Sequence, residues 1–347
     1  MKILNPGRLT IIPTTITITV LVVLCTITGC NLLKKDFTGG IELIMQVETD
    51  EAVRRMTFVD RARLVVLLKD YEVTFSAASL KDERTIEVSG LRPGDELKVK
   101  DILDDDLREW HYQFSGGNLI LTLKHNVLTL VKEQAILQAL EVMKKRLDMF
   151  GLSKKYIQIE TPGSDRLKLR MPPVKNPERI MAAIRMGGIL ELRPVTDGPF
   201  DAKEEALKAF NGTLPEELNI LKTNPRRMEK GYYVVKAYPV ITGADLEKVR
   251  RSKDTWGSPS IAFTLNSRGA KKFRDYTEAN IGKRLAIVLD NKIQSVPVIQ
   301  DVISYDGVIT GQFTIEEAED LARVLNSGAL PAPVKIIEEK IIEAKEK

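Results

Sequence analysis

The stretch Ile41-Glu42-Leu43-Ile44-Met45-Gln46-Val47, with the periodic run that follows it, decides the fold. Five of its seven residues are apolar, which suits a short, largely buried strand. Asp50 then offers a cap for a helix through Leu68, with Val53, Met56, Val59, Leu64 and Leu67 on its apolar stripe. Tyr71–Phe75 and Thr85–Val88 alternate as strands do, Pro93–Leu103 suits a short helix, and Leu119–Leu123 closes the series. The predicted order over residues 41–123 is β-α-β-β-α-β, the split βαβ or ferredoxin-like arrangement.

Working outward, Leu130, Gln134, Leu137, Leu140, Met143, Leu147 and Phe150 recur at spacings of three and four and predict a long amphipathic helix ended by Gly151. Strands are expected at Tyr156–Glu160, Arg166–Met171 and Ile189–Arg193, with a helix from the cap Asn176 to Met186. Residues 196–231, punctuated by Pro, Gly and Asn, read as a linker with one short helix. Beyond it, strands are expected at Tyr232–Lys236 and Ser260–Leu265, and helices at Ala244–Arg251 and Ser267–Asn280. Arg284–Leu289 and Ile293–Val296 flank Asp290-Asn291, a hairpin turn, because Asn and Asp tolerate positive φ. Thr314-Ile315-Glu316-Glu317 is a capping box opening a helix that ends at Gly328.

The chain has 347 residues, 43% hydrophobic and 29% charged. At roughly 100–200 residues per domain, this makes two or three compact units. With 2 His and 2 Cys, a His/Cys zinc cluster, which needs about four such ligands, is not expected, and no cofactor is implied. Cys25 and Cys30 both precede the body, so no disulfide framework is expected there. Asp104-Asp105-Asp106 lacks the alternating ligands of a calcium loop. His111, beside Trp110 and Tyr112, has no accompanying nucleophile motif, and no catalytic residue is assigned. The net charge of +4 does not imply nucleic-acid binding, yet charge is unevenly spread. Residues 222–275 hold 13 Lys or Arg against 5 Asp or Glu, whereas residues 36–106 hold 17 acidic and 10 basic side chains. A basic face of this kind suits anionic lipid or an acidic stretch of polypeptide.

Lys2 and Arg8 precede a charge-free run from Leu9 to Leu33. It is just long enough to span a bilayer, which needs ~20 apolar residues. Two readings stand: an uncleaved signal anchor, or a signal peptide that is removed. Ile27-Thr28-Gly29-Cys30 favours the second, because it has the form of a lipobox in which the Cys30 thiol is acylated. Either reading places the body outside the cytoplasm, on the periplasmic face of the membrane.

Several phrases belong together. Asp36-Phe37-Thr38-Gly39-Gly40 resembles the segment opening the first periplasmic domain of the SecD/SecF translocase family, in wording closer to SecF. Gln138 to Asp148 with Phe150-Gly151-Leu152, then Asp165-Arg166-Leu167 with Arg170-Met171-Pro172, then Gly188 to Arg193, resemble later segments of that domain. The last third is the most similar: Asn280-Ile281-Gly282 to Asp290, Ile293-Gln294-Ser295-Val296-Pro297, Ile309-Thr310-Gly311-Gln312-Phe313, and Ser327-Gly328-Ala329-Leu330-Pro331. The resemblance implies an α+β chain, a ferredoxin-like base with an inserted α+β head, preceded by one hydrophobic segment. The expected divisions are 1–30 (signal or anchor), 36–125 and 126–196 (base), 197–219 (linker), 220–333 (head) and 334–347 (strand or tail). Asp36, Gly39, Gly40, Gly282, Asp290, Pro297, Gly311, Gly328 and Pro331 are then structural residues, and Cys30 a lipid attachment point. The implied partners are Sec translocon components, translocating polypeptide and membrane lipid. The implied role is to bind polypeptide without covalent chemistry, as against a structural or assembly lipoprotein reusing the fold. Family members continue past the segment at Gly328–Val334 into further membrane helices. With no second hydrophobic run, this chain is not expected to move protons itself.

Overall fold

The computed structural model describes residues 39–152, 156–161, 164–215 and 217–342. The apolar run, Cys30 and Asp36 lie outside the described residues.

Strand β1 (Gly40–Val47) leads into helix α1 (Thr49–Asp70), strands β2 (Ala77–Asp82) and β3 (Thr85–Ser89), helix α2 (Glu96–Asp106), the hairpin β4 (Trp110–Ser115) and β5 (Asn118–Leu123), and the long helix α3 (His125–Met149). Next come β6 (Ile157–Ile159), β7 (Arg166–Met171), α4 (Pro177–Arg185), β8 (Leu190–Phe200), α5 (Lys203–Lys208), β9 (Leu218–Thr223), β10 (Tyr232–Lys236), β11 (Ile241–Thr242), β12 (Leu246–Lys253) and β13 (Pro259–Leu265). Helix α6 (Ser267–Glu278), strands β14 (Leu285–Leu289), β15 (Lys292–Ser295) and β16 (Asp306–Ile309), helix α7 (Ile315–Ser327) and strand β17 (Val334–Ile342) complete the order.

The first four-stranded sheet, hereafter the base, runs β17-β1-β7-β6 and is antiparallel throughout. Its strands alternate with period two, so Leu43, Met45 and Val47 share a face with Leu167, Leu169 and Met171. Helices α3 and α4 cover that face with Ala139, Leu140, Met143 and Leu147, and with Ile180, Met181 and Ile184. On the opposite face Glu42 sits between Lys168 (3.0 Å) and Arg170 (2.8 Å).

Here the expected pairing is corrected. β1 does not join the strands that follow it. It pairs with β7 and, across nearly the whole chain, with β17. Strands β2 to β5 form their own antiparallel sheet in the order β2-β3-β5-β4, cored by Leu64, Leu68, Ile86, Val88, Leu119 and Leu121. The expected strand at Tyr71–Phe75 is irregular, and β2 lies further on, in Ala77–Asp82, whose small and polar residues carry little strand signal. Asp50 lies in the first turn of α1 and does not cap it. The stripe of α3 is also rotated: Leu130 and Leu137 are exposed, while Ala135, Ile136 and Ala139 are buried, because the small alanines let the helix approach its neighbours closely.

Residues 190–327 form the second body, hereafter the head; Leu330 and Ala332 already return to the core of the base. Its six-stranded sheet runs β10-β9-β15-β14-β8-β11, and a further pairing of β10 with β8 closes five of these strands into a ring. Tyr233, Val235, Ala286, Val288 and Ile293 form one cluster within it. The alternate residues Leu285, Ile287 and Leu289 of β14 join a larger core with α6, α7 and the three-stranded sheet β12-β13-β16. Strand β14 is therefore buried along its full length, which explains its unbroken Leu-Ala-Ile-Val-Leu. The helix expected at Ala244–Arg251 is instead strand β12. Only Val249 along it is buried, which is too little apolar surface to seat a helix, while β13 supplies an antiparallel partner from Leu246 to Lys253, with one register shift between Leu246 and Lys248. Residues 197–219, expected as a linker, hold the end of β8, α5 and the start of β9. Asn176 caps α4, Thr314 and Glu317 form the capping box of α7, and Gly328 ends that helix at φ +92.

Candidate functional site

The chain crosses between base and head twice, at residues 186–189 and 327–330, and Arg146 on α3 stands between the crossings. Its place in the helix follows from periodicity: it falls on the buried stripe with Met143 and Leu147 and is 1% exposed. Its Nε donates to Ser327 Oγ (3.0 Å) and its Nη1 to the carbonyls of Ala183 (2.9 Å), Ile184 (3.2 Å) and Met186. Its Nη2 donates to the carbonyls of Gly187 and Gly328, both at 3.2 Å. These carbonyls end α4 and α7, where helices leave acceptors unpaired and the dipole favours a cation. Burial lowers the Arg146 pKa to about 10, partly offset by Asp290, so it stays charged at neutral pH.

Asp290 completes the crossing. Its carboxylate accepts from the amides of Ile189 (2.9 Å) and Gly188 (3.3 Å). Asp290 and Asn291 both take positive φ, as the hairpin turn requires. Glycine is needed at 188, where φ is +73 and a Cβ would lie 2.9 Å from Val324.

Further polar links tie the bodies together. Arg179 on α4 grips Asp320 on α7 with two bonds of 2.6 and 2.8 Å, and this hydrogen bonding raises the arginine above its ordinary range. Arg55 on α1 donates to the Pro331 carbonyl (3.0 Å). Within the head, Arg227 bonds Glu317 (2.9 Å) and stacks 4.1 Å over Phe313. Burial would raise the Glu317 carboxyl, but the Thr314 amide and Arg227 outweigh it and hold the carboxyl below its usual range.

Between α1 and the head runs a groove. One part, of about 580 Å³, is lined by Phe58, Val59, Leu80, Ile189, Tyr238 and Asn291 among others. Through Val59, Ala62 and Tyr238 it continues into a part of about 1030 Å³ bordered by Val65, Val66, Val73 and Phe75. Arg61 spans its floor, 5.2 Å over the Phe58 ring and bonded to the Ala78 carbonyl (2.9 Å). The lining is mixed: beside these apolar side chains stand Glu51, Arg54, Arg55, Glu191 and Arg193.

Of the residues singled out from sequence, Asp290, Gly328 and Pro331 meet at this junction. The others do not. Gly40, at φ +137, lets β1 approach the Met171 carbonyl; Gly39 precedes it at φ +91. Gly282 and Pro297 pin the two ends of the β14–β15 region, through Gly282 N to Ile299 O and Leu285 N to Pro297 O. Gly311 packs beside Phe313. His111 is exposed on β4, and Asp106 pairs with Arg63 (2.8 Å). Among the described residues, no three His, Cys, Asp or Glu side chains gather as a metal site would require. Sequence reasoning missed Arg146, Arg179 and Arg55. For Arg146 a signal existed: an arginine on the apolar stripe of a helix is either buried and paired or misplaced.

The family model for the SecDF P1 head subdomain matches residues 219–332. The SecD subunit of the protein translocase of Koribacter versatilis is 31% identical over 318 residues, covering 88% of this chain and 58% of that protein. That of Aquifex aeolicus is 33% identical over 308 residues, covering 88% and 59%. The chain thus spans less than two thirds of the length of these relatives. A solved structure of SecDF, a membrane component that enhances protein export, is 32% identical, with 59% of this chain and 92% of that chain covered and a TM-score of 0.46. Among the described residues no helix is long and apolar enough to cross a membrane. The chain belongs to the SecD/SecDF family and carries that family's P1 head subdomain.

Proposed function

We propose that this chain is a membrane-anchored, extracytoplasmic SecD-like domain that assists protein translocation by holding the moving polypeptide non-covalently. The observation that carries the reading is the groove between α1 and the head, lined by Phe58, Val59 and Tyr238 and lying beside the crossing that joins two separately cored bodies. An extended segment with apolar side chains fits such a groove whatever its order of residues, because burial of apolar area is non-directional. The base supports the reading too. Its elements follow the order β1, α3, β6, β7, α4, β17, and the four strands lie fourth-first-third-second in the sheet. We read it as a ferredoxin-like base with residues 48–124 and 190–327 as its insertions, in place of the divisions at 36–125 and 126–196. Sec translocon components are the partners this reading names. The anchor is the apolar run or a lipid on Cys30, in contact with membrane lipid.

The test is a photo-crosslinker placed at Val59 or Tyr238 in the full chain, exposed to a secretory polypeptide stalled in the channel. Crosslinks are expected from both positions and not from Glu338 on β17. Crosslinking no stronger from the groove than from Glu338 would sink the claim of client binding.

A further inference from the structure

The hairpin of β12 and β13 ends in a turn closed by its own polar groups. Asp254 Oδ1 accepts from the amides of Trp256 (2.9 Å) and Ser258 (2.8 Å), the Asp254 amide donates to the Ser258 carbonyl (2.9 Å), and Gly257 takes φ +83. This turn holds Trp256 at 90% exposure. Leaving an indole in water forgoes the large burial that this side chain ordinarily contributes. The chain's other tryptophan, Trp110, shows the usual outcome: it is 2% exposed and its Nε1 donates to Asp60.

The strand leading to the tip is cationic on both faces. Register places Arg251 opposite Ile261 and Lys253 opposite Pro259, on the face of Val249; Lys248 and Arg250, opposite Thr264 and Ala262, take the other face. All four are exposed. Of the nearby acids, Glu247 lies with Lys248 at the end of β12 away from the tip, Asp306 on β16 accepts from Thr264, and Asp254 has its carboxylate engaged by the turn.

We propose that this hairpin is a membrane finger that enters the headgroup layer of an anionic bilayer, with Trp256 at the interface and the cations nearest the tip, Arg250, Arg251 and Lys253, on lipid phosphates. Tryptophan partitions to that layer because its ring is apolar and its N–H still finds a partner. Lysines and arginines beside it gain from the negative surface potential. The two-faced charge decides between partners. A polypeptide lying along the hairpin would meet one face, whereas a headgroup layer surrounds an inserted finger and meets both. The inference is independent of what the α1 groove holds.

The test uses the full chain mixed with nanodiscs of phosphatidylcholine alone, or with one lipid in three replaced by phosphatidylglycerol. Subtracting the emission of a Trp256→Phe variant isolates Trp256 from the buried Trp110. In anionic discs its emission is expected to shift to the blue, to be quenched by brominated lipid and to be shielded from acrylamide, with little change in neutral discs. Arg250→Gln and Lys253→Gln, one on each face, are each expected to lower the ratio of shielded to open Trp256 roughly five-fold. The proposal is overturned if Trp256 stays as open to acrylamide in anionic discs as in buffer, if neutral discs shield it equally, or if the glutamines change nothing. Shielding by added polyglutamate but not by anionic discs would also overturn it, in favour of an acidic polypeptide partner.

Discussion

Arg146 is the residue on which the junction turns, because its guanidinium satisfies the carbonyl ends of two helices and both chain crossings. Replacing it by methionine keeps most of the volume but strands buried carbonyls. Arg146→Met is expected to cost about 3–5 kcal/mol, measured by denaturant unfolding, with Arg146→Lys intermediate. Asp60 makes a different case. Burial raises its carboxyl above the usual range despite the hydrogen bond from Trp110, and Glu109 adds to the rise. A carboxyl raised on folding binds its proton more tightly in the native state, so the native state loses stability as pH rises from the unfolded value of 3.8 through the folded value. Asp60→Asn mimics the protonated form and still accepts from Trp110. It is expected to raise stability at pH 7 and to change little below pH 3.8, as urea titrations at the two pH values would show.

At the scale of elements, β12 shows how a strand with one buried residue is kept. The Asn326 side chain on α7 accepts from the Val249 amide (2.9 Å) and donates to the Val249 carbonyl, acting as a one-residue partner on the strand's outer edge. Asn326→Ala removes both bonds and is expected to cost about 1–3 kcal/mol. Amide exchange at Val249 should quicken far more than at Ile287 in the buried β14. Equal protection in variant and parent would contradict this role. This contact also explains why the element escaped sequence reading. Nothing in Leu246–Lys253 alone distinguishes a polar helix from a polar edge strand, and the residue that decides lies on α7. By contrast α6, α7, β14 and the Asp290-Asn291 turn were legible, because their caps, periodicity and turn residues are local.

At the scale of the molecule, the base is assembled from segments at both ends of the chain, with β1 beside β17 through the register Gly40↔Ile342 to Val47↔Val334. Ending the chain after Pro333 removes β17 and turns β1 into an edge strand. Amide protection of β1 and β7 is then expected to collapse while β14 in the head keeps its own, because the two bodies have separate cores. Simultaneous loss in both would show that they fold as one unit. Part of the candidate site was visible in advance: Asp290, Gly328 and Pro331 stand in the family phrases. That Asp290 and Gly328 converge on Arg146, and Pro331 on Arg55, was not, nor was the groove, whose walls come from α1 and from Tyr238 after β10.

The sequence by itself determined the mixed α/β class, helices α3, α4, α6 and α7, the caps of α4 and α7, the Asp290-Asn291 turn and the family, since each rests on residues near one another in the chain. Only the tertiary structure decided which strands pair, where the second body is inserted and which arginines lock the two together. Strand partners are chosen by matching buried faces across long separations, and β1 presents the same alternation to any neighbour; packing against α3 and α4 selects β7 and β17.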